Sequence, residues 1–191
     1  MIVRRRFILI LIHFFSLLGL FATEAQLGLD LMSLDSMRGE GIGIRGESGV
    51  FIDDGFRLTL GLGYYRRETR DLSVQSFRLT VGADCFLLEG CGLYAGVNLV
   101  DLSYLWGLDA PDDNPIVMTQ IRLGYLYRYG KNFSFDIRLT ITDPVLASES
   151  DSNLLADSFF QYAKYYASLV ASCSFDIRKG SLDGLPLKDD I

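Results

Sequence analysis

The stretch Asn132–Thr142 reads NFSFDIRLTIT. Phe133, Phe135, Ile137, Leu139 and Ile141 fall on one parity; Ser134, Asp136, Arg138, Thr140 and Thr142 fall on the other. Successive side chains of a β-strand point to opposite faces, so this period of two predicts a strand with one apolar and one polar face. The preceding segment repeats the pattern, with Val117, Ile121, Leu123, Tyr125, Tyr127 and Tyr129 against Gln120, Arg122, Gly124 and Arg128. Tyr129-Gly130-Lys131 joins the two as a tight hairpin turn.

Working outward, the same alternation predicts six more strands. The first is Gln26–Asp35, with Leu27, Leu29 and Leu31 opposed by Gly28, Asp30 and Met32. Gly39–Ile52 follows, with Ile42, Ile44, Val50 and Ile52 against Arg45 and Glu47, and Asp53-Asp54-Gly55 is a turn signal. Phe56–Arg67 places Leu58, Leu60, Leu62 and Tyr64 against Arg57 and Thr59. Val74–Leu87 places Phe77, Leu79 and Val81 against Arg78, Thr80 and Asp84. Gly92–Tyr104 places Leu93, Ala95, Val97 and Leu99 against Tyr94, Gly96 and Asn98. The eighth, from about Gln161 to Arg178, carries Ala167, Leu169, Ala171 and Cys173 against Ser168, Ser172, Asp176 and Arg178. Asn153–Ala167 has an alternative reading as a short loop-side helix, since Leu155, Phe159, Tyr162 and Tyr166 recur near helical spacing.

The N-terminal 25 residues read as a separate element. Arg4-Arg5-Arg6 precede the apolar run Phe7–Phe21, and Thr23-Glu24-Ala25 offers small residues for cleavage after Ala25. This predicts a secretory signal peptide over 1–25 rather than a membrane anchor, then a barrel over 26–178 and a polar periplasmic tail over 179–191. Cleavage leaves 15 basic and 23 acidic residues, a net charge of −8, and removes His13, the only histidine. The acidic balance argues against nucleic acid as a partner. Beyond the signal no run of 18 apolar residues occurs, so a membrane form must be a closed barrel, the remaining way to satisfy every backbone group in lipid.

The apolar face is expected to look at lipid. Roughly forty apolar residues exceed what an eight-stranded interior, only just wide enough to be filled by side chains, can hold. As an outer band they include Leu58, Leu60, Leu62, Leu79, Val81, Leu123, Ile137, Leu139, Ile141 and Leu169. The other face holds Arg57, Arg78, Arg122, Arg138 and Arg178 with Asp84, Asp136 and Asp176, a set of Arg–Asp charges that can pair inside a lumen. Tyr64, Tyr65, Tyr104, Trp106, Tyr127, Tyr129, Phe133 and Tyr165, with Tyr162 and Tyr166, lie toward strand ends, as expected of an interfacial aromatic girdle. Short connections (53–55, 88–91, 130–132) alternate with longer ones (68–72, 105–115, 143–160). That alternation predicts short turns and both termini in the periplasm. The expected fold is therefore an all-β, eight-stranded antiparallel transmembrane β-barrel in the outer membrane.

In this pattern the chain resembles the small eight-stranded outer-membrane barrels of the OmpA, OmpX and OmpW type. The resemblance covers the whole mature chain and implies outer-membrane lipids and the barrel-assembly machinery as partners. Such barrels usually end on an aromatic residue; here Phe175 and Ile177 are the nearest equivalent, and 14 residues follow. OmpW likeness implies a narrow channel for small solutes. OmpX likeness implies a closed structural or adhesive barrel whose outer loops meet an extracellular ligand. A soluble exported lipid carrier, with the faces inverted, is the third reading.

Other motifs resolve into bland readings. Gly41–Gly46 matches G-x-G-x-x-G, but the dinucleotide fingerprint needs a helix next and Glu47–Asp54 is extended. Outer-membrane hydrolases and acyltransferases use a His with Ser or Asp, so a mature chain without His is not expected to be an enzyme. No cofactor or metal is expected: Asp109, Asp112, Asp113, Glu149 and Asp151 lack EF-hand spacing. Arg66, Arg67 and Arg70 could meet anionic headgroups, with Glu68 and Asp71 as local partners. Cys85 and Cys91 flank a hairpin and could form a disulfide there.

Overall fold

The computed structural model describes residues 22–31, 41–68, 73–88, 90–107, 115–144 and 163–177. Eight strands form one closed barrel in sequence order: β1 (Glu24–Asp30), β2 (Gly41–Asp53), β3 (Phe56–Glu68), β4 (Ser73–Phe86), β5 (Leu93–Gly107), β6 (Ile116–Tyr129), β7 (Phe133–Pro144) and β8 (Tyr165–Asp176). Every neighbouring pair is antiparallel, and β8 closes onto β1 from Glu24↔Asp176 to Asp30↔Val170. Closure leaves no free sheet edge, so backbone groups along the wall pair with neighbours and the barrel is compatible with a lipid surround.

Turn chemistry sets one end. Gly130, at φ +68°, makes the β6–β7 hairpin, in a conformation glycine adopts without steric cost. At the β2–β3 turn, Gly55 N donates to Asp53 Oδ1 at 2.8 Å, an Asx-type closure. The β4–β5 turn completes this short-turn end, with Gly90 at φ +72°. Both ends of the described chain lie here too: Thr23 N donates to Phe51 O and Ile177 N to Thr23 O.

Polarity is inverted relative to a soluble barrel. Inward positions alternate through Arg57, Thr59 and Gly61 on β3, and through Ser134, Asp136, Arg138, Thr140 and Thr142 on β7, all buried. Outward, Leu62, Leu123, Ile137, Leu139 and Ile141 are exposed, Leu139 at 63%. Leu58, Leu60, Leu79, Val81 and Leu169 share that outer face half-buried. A charged interior within an apolar exterior is the arrangement of a transmembrane barrel.

Several elements differ from the sequence reading. β1 starts at Glu24 and ends at Asp30, rather than running Gln26–Asp35, because closure supplies Glu24 and Ala25 with partners on both flanks. Cleavage after Ala25 would thus shorten β1 by two residues. β8 begins at Tyr165, not near Gln161, and ends at Asp176. β5 runs past Tyr104 to Gly107 and carries a β-bulge: Val81 pairs Val100 and Gly82 pairs Asn98, leaving Leu99 over. Leu99 and Val100 both face out, and the inward parity passes from Tyr94, Gly96 and Asn98 to Asp101, Ser103 and Leu105.

The aromatic girdle is corrected at two positions. Tyr64, Tyr104, Trp106 and Tyr165 are exposed at the long-loop end, and Tyr127, Tyr129 and Phe133 at the short-turn end. Tyr65 and Tyr166 instead point inward and are buried, since each follows an outward tyrosine and adjacent residues take opposite faces. The segment read as a signal peptide, through Phe21, as well as Arg70, Tyr162, Arg178, the residues read as a tail and the loop acids Asp109, Asp112, Asp113, Glu149 and Asp151 lie outside the described residues. So does most of the Asn153–Ala167 segment.

Candidate functional site

The fold gathers the buried charged side chains of the described residues in the lumen. Among the described residues, five arginines (Arg45, Arg57, Arg78, Arg122, Arg138) and five carboxylates (Asp30, Glu47, Asp84, Asp101, Asp136) are buried there. Eight of them form one chain of alternating charge. Asp30 lies 4.0 Å from Arg45, which reaches Glu47 at 3.5 Å. Arg138 grips Glu47 with two bonds of 2.8 Å and donates a third, also 2.8 Å, to Asp136. Arg57 bridges Asp136 and Asp84 at 2.8 Å each, and Arg122 reaches Asp84 at 2.8 Å.

Asp136 is the hub of this chain. It accepts from Arg57, Arg138 and the Tyr94 hydroxyl, the last at 2.7 Å. Toward the long-loop end the remaining pair stands apart: Arg78 binds Asp101 through two parallel bonds of 2.9 Å. Asn98 donates to Asp101, and the Gln120 amide packs among Asn98, Thr142 and Tyr166. Charges removed from water are tolerable only when paired and hydrogen-bonded, and the matched count meets that condition.

The short-turn end is closed by a different device. Phe51, Tyr94 and Leu126 form a buried apolar cluster inside the barrel, with Phe86 packed against it. Ring centroids of Phe86 lie 5.6 Å from Phe51 and 5.4 Å from Tyr94. The Arg57 guanidinium sits over all three rings, nearest to Tyr94 at 4.9 Å. At the rim, Arg128 lies 5.0 Å over Phe51 and pairs with Glu24 at 2.8 Å. Arg57 thus belongs to both devices, held by carboxylates on one side and rings on the other.

The structure brings Arg57, Arg78, Asp84, Arg122, Asp136 and Arg138 into this lumen. Asp176 is instead exposed at the strand end, because β8 stops there and its last rung lies at the mouth. Asp30, Arg45, Glu47 and Asp101 join the set without having been singled out in the sequence. The first three sit on the polar parity of their strands. Asp101 had a signal too: unbroken alternation through β5 would aim its carboxylate at lipid, which a bulge avoids. Cys85, Cys91 and Cys173 are free thiols, so the Cys85–Cys91 bridge is not formed. Arg66 faces out but pairs with Glu68.

No protein-family model matches the chain, and no curated protein does. Among solved structures, the chain is similar to the N-terminal β-barrel domain of Pseudomonas aeruginosa OprF, with 15% identity and a TM-score of 0.49, covering 81% of this chain and 98% of that one. It is also similar to the Yersinia pestis outer membrane protein Ail in a phospholipid bilayer nanodisc, with 10% identity and a TM-score of 0.45, covering 80% and 98%. A de novo designed transmembrane β-barrel matches with 10% identity and a TM-score of 0.40, covering 81% and 94%. The inverted barrel itself, and not these distant likenesses, carries the reading that follows.

Proposed function

We propose that the protein is an integral outer-membrane barrel that does not conduct solutes, and that it acts as a rigid anchor presenting its long connections outside the cell. The observation that carries this is the filled lumen. A stack of matched guanidinium–carboxylate pairs runs into an aromatic and leucine plug, so a solute would have to break buried ion pairs and then displace Phe51, Phe86, Tyr94 and Leu126. A narrow channel for small solutes, the reading that OmpW likeness favours, needs a continuous polar path. The inverted face polarity weighs against the soluble lipid carrier. The short-turn end and both termini are assigned to the periplasm, following the regularity that such barrels keep short turns there. The barrel-assembly machinery would insert it, and an extracellular ligand would be met by the connections between β1 and β2, β3 and β4, β5 and β6, and β7 and β8.

Planar-bilayer recording tests closure. The refolded protein is expected to give no stable single-channel steps in molar potassium chloride. Reproducible steps whose size changes in Arg122→Ala or Arg138→Ala would overturn closure and restore the channel.

A further inference from the structure

The outer wall carries a furrow of about 460 Å³ along β2, within the ~300–1,000 Å³ of ligand pockets. Its floor is Gly46 and Ser48, two small residues in an outward row otherwise made of Ile42, Ile44, Val50 and Ile52. Register builds the walls. Leu29 pairs with Gly46 and Leu27 with Ser48 on one side; Leu62 and Leu60 pair with the same two residues on the other. The leucines therefore stand as ridges on β1 and β3, with a slot one side chain wide between them. A Cβ built on Gly46 would meet nothing nearer than Gly28 O, at 3.9 Å.

The furrow runs toward the long-loop end, where Ile44, Tyr64 and Phe77 line it. There the surface turns polar. The Tyr64 hydroxyl and the Trp106 Nε1–H both donate to Gln75 Oε1 at 3.0 Å, at the depth of the aromatic girdle. Arg66 follows Tyr64 by two on the same outward face and pairs across from Gln75. It is exposed, and its partner Glu68 is exposed too. An exposed ion pair holds weakly, so the guanidinium is free to take a phosphate, which its planar fork fits. Going up β3, the outward order Leu60, Leu62, Tyr64, Arg66 is that of a lipid: hydrocarbon, interface, anionic headgroup.

Other occupants fit less well. A water needs two to four polar partners, and the Ser48 hydroxyl is turned to its own sheet, donating to Leu60 O at 3.5 Å. A second copy docked about a two-fold axis would set this furrow against itself and leave a void, since such an interface uses the same patch on both subunits. Hydrocarbon gains nothing from leaving lipid for an apolar protein surface, so shape decides what stays. A chain in the slot makes dispersion contacts with the floor and both ridges.

We propose that this furrow binds one anionic phospholipid, with an acyl chain lying over Gly46 and Ser48 and the phosphate held by Arg66. The site rests on the membrane-spanning barrel and not on whether the lumen conducts.

Native mass spectrometry of the full chain, refolded in detergent, tests it with phosphatidylglycerol and phosphatidylcholine of identical chains. One phosphatidylglycerol is expected to stay on each barrel, favoured about fivefold over phosphatidylcholine, the effect of one arginine on an anionic lipid surface. Gly46→Leu with Ser48→Leu fills the slot with outward apolar side chains and is expected to abolish retention of both lipids. Arg66→Gln is expected to keep the chain bound and to make the two lipids equal. The heat-dependent gel shift of each variant reports a folded barrel, so a lost site and a failed fold are told apart. Wild-type barrels that retain no lipid overturn the site, and so does a filled variant that retains as much as wild type. Equal retention of the two lipids by wild type, or a preference that survives Arg66→Gln, overturns the role of Arg66.

Discussion

Asp136→Ala is expected to destabilise the barrel by about 3–5 kcal/mol, the usual loss when one partner of a buried ion pair is removed. The magnitude follows from what Asp136 holds. Its carboxylate accepts from Arg57, from Arg138 and from the Tyr94 hydroxyl. Without it, Arg57 keeps Asp84 and Arg138 keeps Glu47, but the lumen carries five buried arginines against four carboxylates. A buried charge left without its partner is costly. Arg57→Met added to Asp136→Ala should recover part of the loss, because the second change removes the uncompensated partner. Urea unfolding in lipid vesicles reads both effects. A single-variant loss below ~1 kcal/mol, the range of an exposed ion pair, would mean that the network is hydrated and the interior is not dry.

The second large effect concerns the opposite face. Leu139 lies midway along β7, 63% exposed, between the outward Ile137 and Ile141 and across from Leu123. In water an arginine there would be harmless or would raise solubility. At the bilayer midplane it is expected to cost ~2–4 kcal/mol, while a charge near the interface costs ~0–1. Leu139→Arg should therefore lower vesicle-unfolding stability steeply, and Lys131→Glu, in the exposed β6–β7 turn, should leave it nearly unchanged. Equal behaviour of the two variants would place Leu139 outside the hydrocarbon.

How much of this was legible depends on what each strand answers to. β7 was readable almost to the residue, because its alternation is unbroken and each parity has one environment. β1 and β8 were misplaced by several residues at some ends, since their limits come from closing on each other, a constraint that neither segment's own pattern contains. Period two also fails where the lumen is apolar. Leu126 shares the inward parity of Arg122 and Gly124, so polarity gave no hint that it joins Phe51 and Tyr94 in a plug. The Leu99 bulge hid Asp101 by one residue of slip. Tyr65 and Tyr166 were grouped with their neighbours by composition, although adjacency alone sends one of each pair inward. The charge network was half visible: residue types and parity pointed to a lumen, but which arginine meets which carboxylate is set by inter-strand register.

The central claim is that these strands close into a barrel whose apolar face meets lipid. The most direct test is to refold the chain in detergent and compare its gel mobility with and without boiling. The account predicts a compact, faster-migrating form that persists in the detergent until heated and then shifts to the mobility of the unfolded chain. A chain that stays soluble without detergent and runs as a single band under both conditions would contradict it, and the apolar face would then have to line an interior.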